Sequence, residues 1–150
     1  MTVVIGVDGL PESLAAIRLG RQEAAYRGSD LVAVMAYSGN TALDSPAARP
    51  LSSPRTVGEQ SELVKSTLCA AVTQALGSDG GQVEIRAVAG PPGRALVDTA
   101  RDLKAVLIVL AARKEHSPSR LLGAVSQYVL RNAPCPVLVV PARNGPPLSG

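Results

Sequence analysis

A short basic segment between two apolar runs holds the residues best suited to chemistry. Its positively charged or chargeable side chains are Arg113, Lys114, His116 and Arg120. Such a cluster can neutralise an anionic ligand, or it can be an ordinary solvated loop, and both interpretations stay open. The chain has a single histidine, and no serine or cysteine accompanies it in a recognisable triad. No His/Glu set has the spacing of metal ligands, so we expect neither a catalytic residue nor a metal site.

Composition excludes several other classes of function. The formal net charge is only +3, and the chain contains no Trp and no Phe. A surface that stacks nucleic-acid bases needs aromatic rings, and a nucleic-acid binder usually shows a broader basic stripe. No apolar run approaches the roughly 18 residues that span a membrane, and no signal peptide is evident. We therefore expect a cytoplasmic protein without nucleic-acid or membrane partners, in which Cys69 and Cys135 are reduced, partly buried thiols.

Alternating apolar patterns predict the elements that position the basic segment. The predicted strands are Val3–Val7, Leu31–Tyr37, Val83–Val88, Ala105–Leu110 and Val137–Val140. Helical spacing of apolar residues connects each strand to the next. This alternation predicts one α/β domain over residues 1–150, built on an open parallel sheet with helices on both faces. Two segments lack periodicity, and we expect residues 38–58 to be a mobile loop and residues 142–150 a flexible tail.

Both ends of the chain resemble the universal stress protein family. The segments Gly123–Arg131 and Ala133–Val140 match its C-terminal signature almost letter for letter, and Val3–Gly9 is similar to its first strand. The resemblance implies a Rossmann-like fold, similar to the adenine-nucleotide alpha hydrolases, with strand order 3-2-1-4-5. In that order the first and fourth strands flank the point where the winding reverses. Ligands of open α/β sheets bind there, at the carboxyl ends of the strands.

The nucleotide motif of the family is degenerate in this chain. Members that bind ATP carry two loop glycines followed by Gly-Ser/Thr, because backbone N–H groups must approach the phosphates closely. Aligned without a gap, these positions fall on Leu110, Arg113, Gly123 and Ala124, so that only Gly123 matches. We therefore expect no bound cofactor, with ATP binding weak or lost. The alternative is a weak ATP or AMP site in which the basic side chains replace the glycines.

The resemblance also implies which residues would surround a small anionic ligand. Asp8 matches the acidic residue near the adenosine, and Ala36 matches the position whose backbone reads the adenine edge. The start of the last helix offers free N–H groups. The candidate nucleotide cleft comprises Asp8, Ala36, Arg113, Gly123, Ala124 and Val125.

Simpler interpretations of the same residues remain open. Asp8 can merely cap the turn after the first strand. Ser117-Pro118 can begin the last helix early, which would place Gly123 inside it and abolish the phosphate loop. Ser126 can be a helical residue that bonds locally.

The last strand is expected to form a dimer interface. Val137, Leu138, Val139 and Val140 are all apolar, and an exposed apolar edge is an aggregation hazard unless something covers it. The family resemblance implies that a second copy covers this edge, since many members pair their last strands across a two-fold axis. Together these observations predict a non-enzymatic, dimeric stress-response or regulatory module.

Overall fold

The computed structural model describes residues 1–38, 57–112 and 123–141. Strands and helices alternate along the chain as predicted. Their bounds are β1 Thr2–Gly6, α1 Glu12–Arg27, β2 Asp30–Tyr37, α2 Val57–Leu76, β3 Glu84–Ala89, α3 Pro92–Asp102, β4 Leu107–Ala111, α4 Ala124–Asn132 and β5 Val137–Val140, with a 3₁₀ segment Gly77–Gln82 before β3. The predicted tail and nearly all of the predicted loop lie outside the described residues. Val57 and Gly58, assigned to that loop from the sequence, are instead the first turn of α2.

The five strands form one parallel sheet in the order β3-β2-β1-β4-β5, which confirms the predicted fold class. The two most apolar strands lie side by side, with Val3 paired to Leu107 and Ile5 to Val109. Both are buried because helices cover both faces of the sheet, as continuous apolar strands require. In β3 polar and apolar residues alternate, and this strand forms an edge of the sheet.

Two hydrophobic cores lie on opposite faces of the sheet. On one face α1 and α2 pack through Ile17 and Leu68, whose side chains are fully buried. On the other face α3 and α4 pack through Leu96 and Val129. Small and branched side chains dominate the sequence, and they fill the two thin core layers between the sheet and its helices. Both core layers extend to the carboxyl edge of the sheet.

The two cysteines differ in their surroundings. Cys135 is half-buried, as predicted, and burial raises the pKa of its thiol. Cys69 was expected to be partly buried but is exposed, because it lies on the outer side of α2 next to the buried Leu68. In the described ranges, no helix is both long and apolar enough to cross a membrane.

Helix α1 approaches the sheet closely at Gly20. A Cβ at this buried position would lie 2.7 Å from Ile5 Cγ1 and 2.8 Å from Ile5 Cδ1. Ile5 is fully buried in the central strand and has no room to move. The glycine is therefore required by packing, although it disfavours the helix locally.

We expect Gly20→Ala to lower the free energy of unfolding. At a solvent-exposed helix position, alanine is more favourable than glycine by about 1 kcal/mol. Overpacking a buried position, however, costs about 1–3 kcal/mol. Urea denaturation measures the net change. In an Ile5→Val background, which removes one of the two clashing carbons, the loss caused by Gly20→Ala should be smaller. A stabilising Gly20→Ala would show that the helix is not held against Ile5.

Candidate functional site

A cavity of about 190 Å³ opens at the carboxyl ends of β1 and β4, where the winding of the sheet reverses. It is lined by Gly6, Val7, Asp8, Ser13, Val34, Ala36, Pro92, Leu96, Leu110, Ala111, Gly123, Ala124, Val125 and Ser126. Five of the six candidate residues from the sequence therefore meet in one cavity. The sixth, Arg113, lies outside the described residues, as do Lys114, His116 and Arg120.

The start of α4 forms one end of the cavity. Gly123 is the N-cap residue, with extended backbone angles of φ −61° and ψ 166°. The first helical bond runs from Gln127 N–H to Gly123 O at 3.0 Å. The N–H groups of Ala124, Val125 and Ser126 consequently have no partner within the helix. The interpretation that Gly123 lies inside a longer helix is wrong, because its backbone is extended.

Ser126 lies in this first turn and lines the cavity. The residue as a whole is only 4% exposed, and its hydroxyl, which makes no hydrogen bond within the described part of the chain, is accessible from the cavity. A local bond to the preceding turn, the simpler interpretation of this serine, is therefore not what the structure shows. A buried hydroxyl normally has a hydrogen-bond partner. Beside three N–H groups at the positive end of a helix dipole, it completes a set of donors suited to an anion.

Asp8 forms a different wall of the cavity. Its Oδ1 accepts a hydrogen bond from Ser13 Oγ at 2.6 Å and another from the Leu10 N–H at 2.9 Å. Ser13 Oγ in turn accepts the Asp8 N–H at 3.1 Å. The predicted turn-capping role of Asp8 is thus present. The reciprocal bonds also fix the carboxylate at the mouth of the cavity, so that the two roles are compatible.

The part of the cavity at the end of β2 and the start of α3 is apolar. Ala36, near the end of β2, lies there with Pro92 and Leu96 of α3. Gly6 lets α3 approach the end of β1, since a Cβ at Gly6 would lie 2.7 Å from Leu96 Cδ1. The cleft therefore has a donor-rich end at α4 and an apolar end at α3.

Sequence reasoning missed part of this lining. Ser13 lies in the first turn of α1, where Pro11 occupies the N-cap position, and its side chain bonds to Asp8. Pro92 is the first residue of α3 and borders the cavity. Only the tertiary contact between these loops shows their role. A serine five residues after a strand-end aspartate was the one local signal available.

The position of Leu110 bears on the predicted degeneracy of the nucleotide motif. Leu110 stands where the family has its first loop glycine, and in this chain it lies within β4 with a side chain that is 4% exposed. That side chain packs in the core shared by α3 and α4. Ala124 replaces the hydroxyl residue that follows Gly123. In the ranges that the structure describes, no three His, Cys, Asp or Glu side chains are placed to hold a metal ion.

Known proteins agree with this architecture. The family model "Universal stress protein family" matches residues 1–141. A universal stress protein solved in complex with cAMP is similar, with 30% identity, a TM-score of 0.68, and coverage of 93% of this chain and 95% of that one. A universal stress protein from Lactobacillus plantarum shares the fold, with 23% identity, a TM-score of 0.70, and coverage of 93% and 97%. A universal stress protein from Archaeoglobus fulgidus, solved in complex with dAMP, also shares it, with 20% identity, a TM-score of 0.59, and coverage of 93% and 97%.

The search of curated proteins gave no match. The family model nevertheless spans nearly the whole chain, and the strand order is the one that the C-terminal signature implied. This chain belongs to the universal stress protein family.

Proposed function

We propose that this universal stress protein is a non-enzymatic regulatory module whose cleft binds an adenine nucleotide with one phosphate and binds ATP weakly or not at all. The observation that carries the proposal is the position of Ser126, a residue only 4% exposed that lines the cavity beside the first N–H groups of α4. These donors make a compact site for one phosphate. Asp8 and the apolar end at Ala36 leave the rest of the cavity for a nucleoside.

The sequence and the similar structures support one phosphate rather than three. Further phosphates would need a close backbone approach outside the first turn of α4. In the sequence Leu110 and Arg113 take the positions of the two loop glycines, and a residue with a Cβ opposes such an approach. Leu110 is also buried. The related protein with 30% identity was solved with cAMP, a nucleotide that carries one phosphate.

A regulatory role fits the same residues better than catalysis does. Ser126 and Ser13 are the two serines that line the cavity, and neither bonds to a histidine in the described part of the chain; Ser13 bonds to Asp8, whose Oδ1 also accepts the Leu10 N–H and caps the turn. A nucleophile needs a general base within hydrogen-bond reach. The cleft is therefore better suited to binding a ligand as a regulatory signal than to catalysing its turnover.

We expect AMP or cAMP to bind at least about tenfold more tightly than ATP with magnesium, as measured by calorimetry. Ser126→Ala should weaken AMP binding by about 10- to 100-fold, because a hydrogen bond to a charged group contributes about 1.5–3 kcal/mol and 1.4 kcal/mol is tenfold. Ser66→Ala, at an exposed position of α2, is the matched control and should leave affinity unchanged.

Two results would contradict this expectation. ATP binding as tight as AMP binding would show that one phosphate is not preferred. If that ATP binding disappeared on charge reversal at Arg113 or Arg120, basic side chains would have replaced the motif glycines. AMP binding that is unaffected by Ser126→Ala would remove the proposed phosphate site.

We also propose that the protein forms a homodimer through Val137–Val140. In the described part of the chain β5 pairs with β4 alone. The carbonyls of Pro136 and Val140 accept hydrogen bonds from Ile108 and Ala112 of the β4 side. Because alternate residues of a strand point their backbone groups in opposite directions, the N–H and C=O of Val137 and Val139 face the open edge. A second copy can pair with these groups across a two-fold axis.

Val139→Pro should convert the dimer into a monomer, because it removes the donor that faces the edge and leaves every donor to β4 in place. Sedimentation velocity at micromolar concentration measures the association state. Val139→Ala is the control, since it shortens the side chain and keeps the N–H, and it should remain dimeric. Circular dichroism checks that both variants fold. A monomeric unmodified protein, or a dimeric Val139→Pro variant, would contradict the interface.

A further inference from the structure

A second cavity, of about 400 Å³, adjoins the apolar end of the nucleotide cleft. It is lined by Ala36, Tyr37, Ser38, Gly90, Pro91 and Pro92. Ala36 and Pro92 border both cavities, so that the two are neighbours along the carboxyl edge of the sheet. The first cavity alone is smaller than the roughly 300–1,000 Å³ typical of small-molecule sites, whereas the two together fall within that range.

The lining of the second cavity selects a chemical class of ligand. Two prolines, a tyrosine and an alanine give it a mostly apolar lining, Ser38 adds a hydroxyl that donates to Gln60 Oε1 at 3.2 Å, and no charged side chain lines it among the described residues. A phosphate or another charged extension would lose its hydration there without gaining a partner. An apolar planar group would instead bury its faces against the rings.

The walls of the second cavity are preorganised. The Gly90 N–H donates a hydrogen bond to the Tyr37 carbonyl at 2.8 Å, which ties the loop before α3 to the end of β2. Gly90 has φ +121°, a conformation that other residues rarely adopt. Pro91 and Pro92 have fixed φ angles, and Tyr37 is paired with Ala89 in the sheet. A rigid wall needs little ordering when a ligand binds.

The direction of the bound nucleotide follows from the two ends of the cleft. With the phosphate at α4, the nucleoside extends towards Ala36 and Pro92, where the second cavity opens. We propose that the second cavity is a subsite for an apolar planar substituent on the base, and that the protein favours adenine nucleotides modified on the exocyclic amine over unmodified ones. Because this inference rests on the proposed function, the test must separate the failure of each.

The probes are AMP and N6-benzyl-AMP, titrated by calorimetry into the full-length protein. Burial of one aromatic ring corresponds to roughly tenfold or more in affinity, so N6-benzyl-AMP should bind at least about tenfold more tightly than AMP. Tyr37→Ala, which alters only the second cavity, should abolish most of this gain and leave AMP affinity unchanged. Tyr26→Ala is the matched control, since Tyr26 is 84% exposed and lines neither cavity.

The outcomes distinguish the two proposals. If neither nucleotide binds, the proposed function is wrong, and the subsite fails with it. If AMP binds and the benzyl group gives no gain or weakens binding, the subsite alone is wrong. A gain that survives Tyr37→Ala would also overturn it, because the ring would then lie elsewhere.

Discussion

The parallel pairing of β1 with β4 is the constraint on which the rest of the molecule depends. Val3, Val4 and Ile5 pair with Leu107, Ile108 and Val109. The chain reaches β2 on one side of β1 and β4 on the other, and the loops that follow β1 and β4 must therefore diverge to opposite faces. The cleft is the space left between them. It follows from strand order, and no special loop sequence is needed to create it.

The ligand class of the cleft depends on hydrogen-bond donors that have no acceptor within the helix. A helix always begins with N–H groups that lack intrahelical acceptors, and α4 begins inside the cavity. Ser126, a residue only 4% exposed, adds a hydroxyl that lines the same cavity. Leu110 has the opposite effect on anion binding. Its side chain packs in the core, and β4 has no glycine at this position. Under the proposed function, this region keeps a place for one anionic group and lacks the glycines that would let further phosphates approach the backbone.

Packing limits also shape the carboxyl edge of the sheet. Gly6 allows Leu96 to lie against the end of β1, and Gly20 allows α1 to lie against Ile5. At the far side Gly90, Pro91 and Pro92 form a stiff connection between β3 and α3. One wall of each cavity is consequently set by backbone geometry rather than by flexible side chains, and such a wall keeps its shape without a ligand.

The sequence by itself determined the fold class, the strand order through the family signature, and five candidate residues that the structure brings into one cavity. Apolar runs and their periodicity located every strand and helix, because burial on a sheet imposes a period that is visible in one dimension. Asp8, Gly123, Ala124 and Val125 could be named because they adjoin strand ends or the start of a helix. Tertiary structure alone decided the bond between Ser13 and Asp8, the burial of Ser126, the exposure of Cys69 and the contact of Pro92 with the cleft. These features depend on which loops meet at the carboxyl edge of the sheet and on how deeply each helix face is buried. A linear sequence pattern contains neither piece of information.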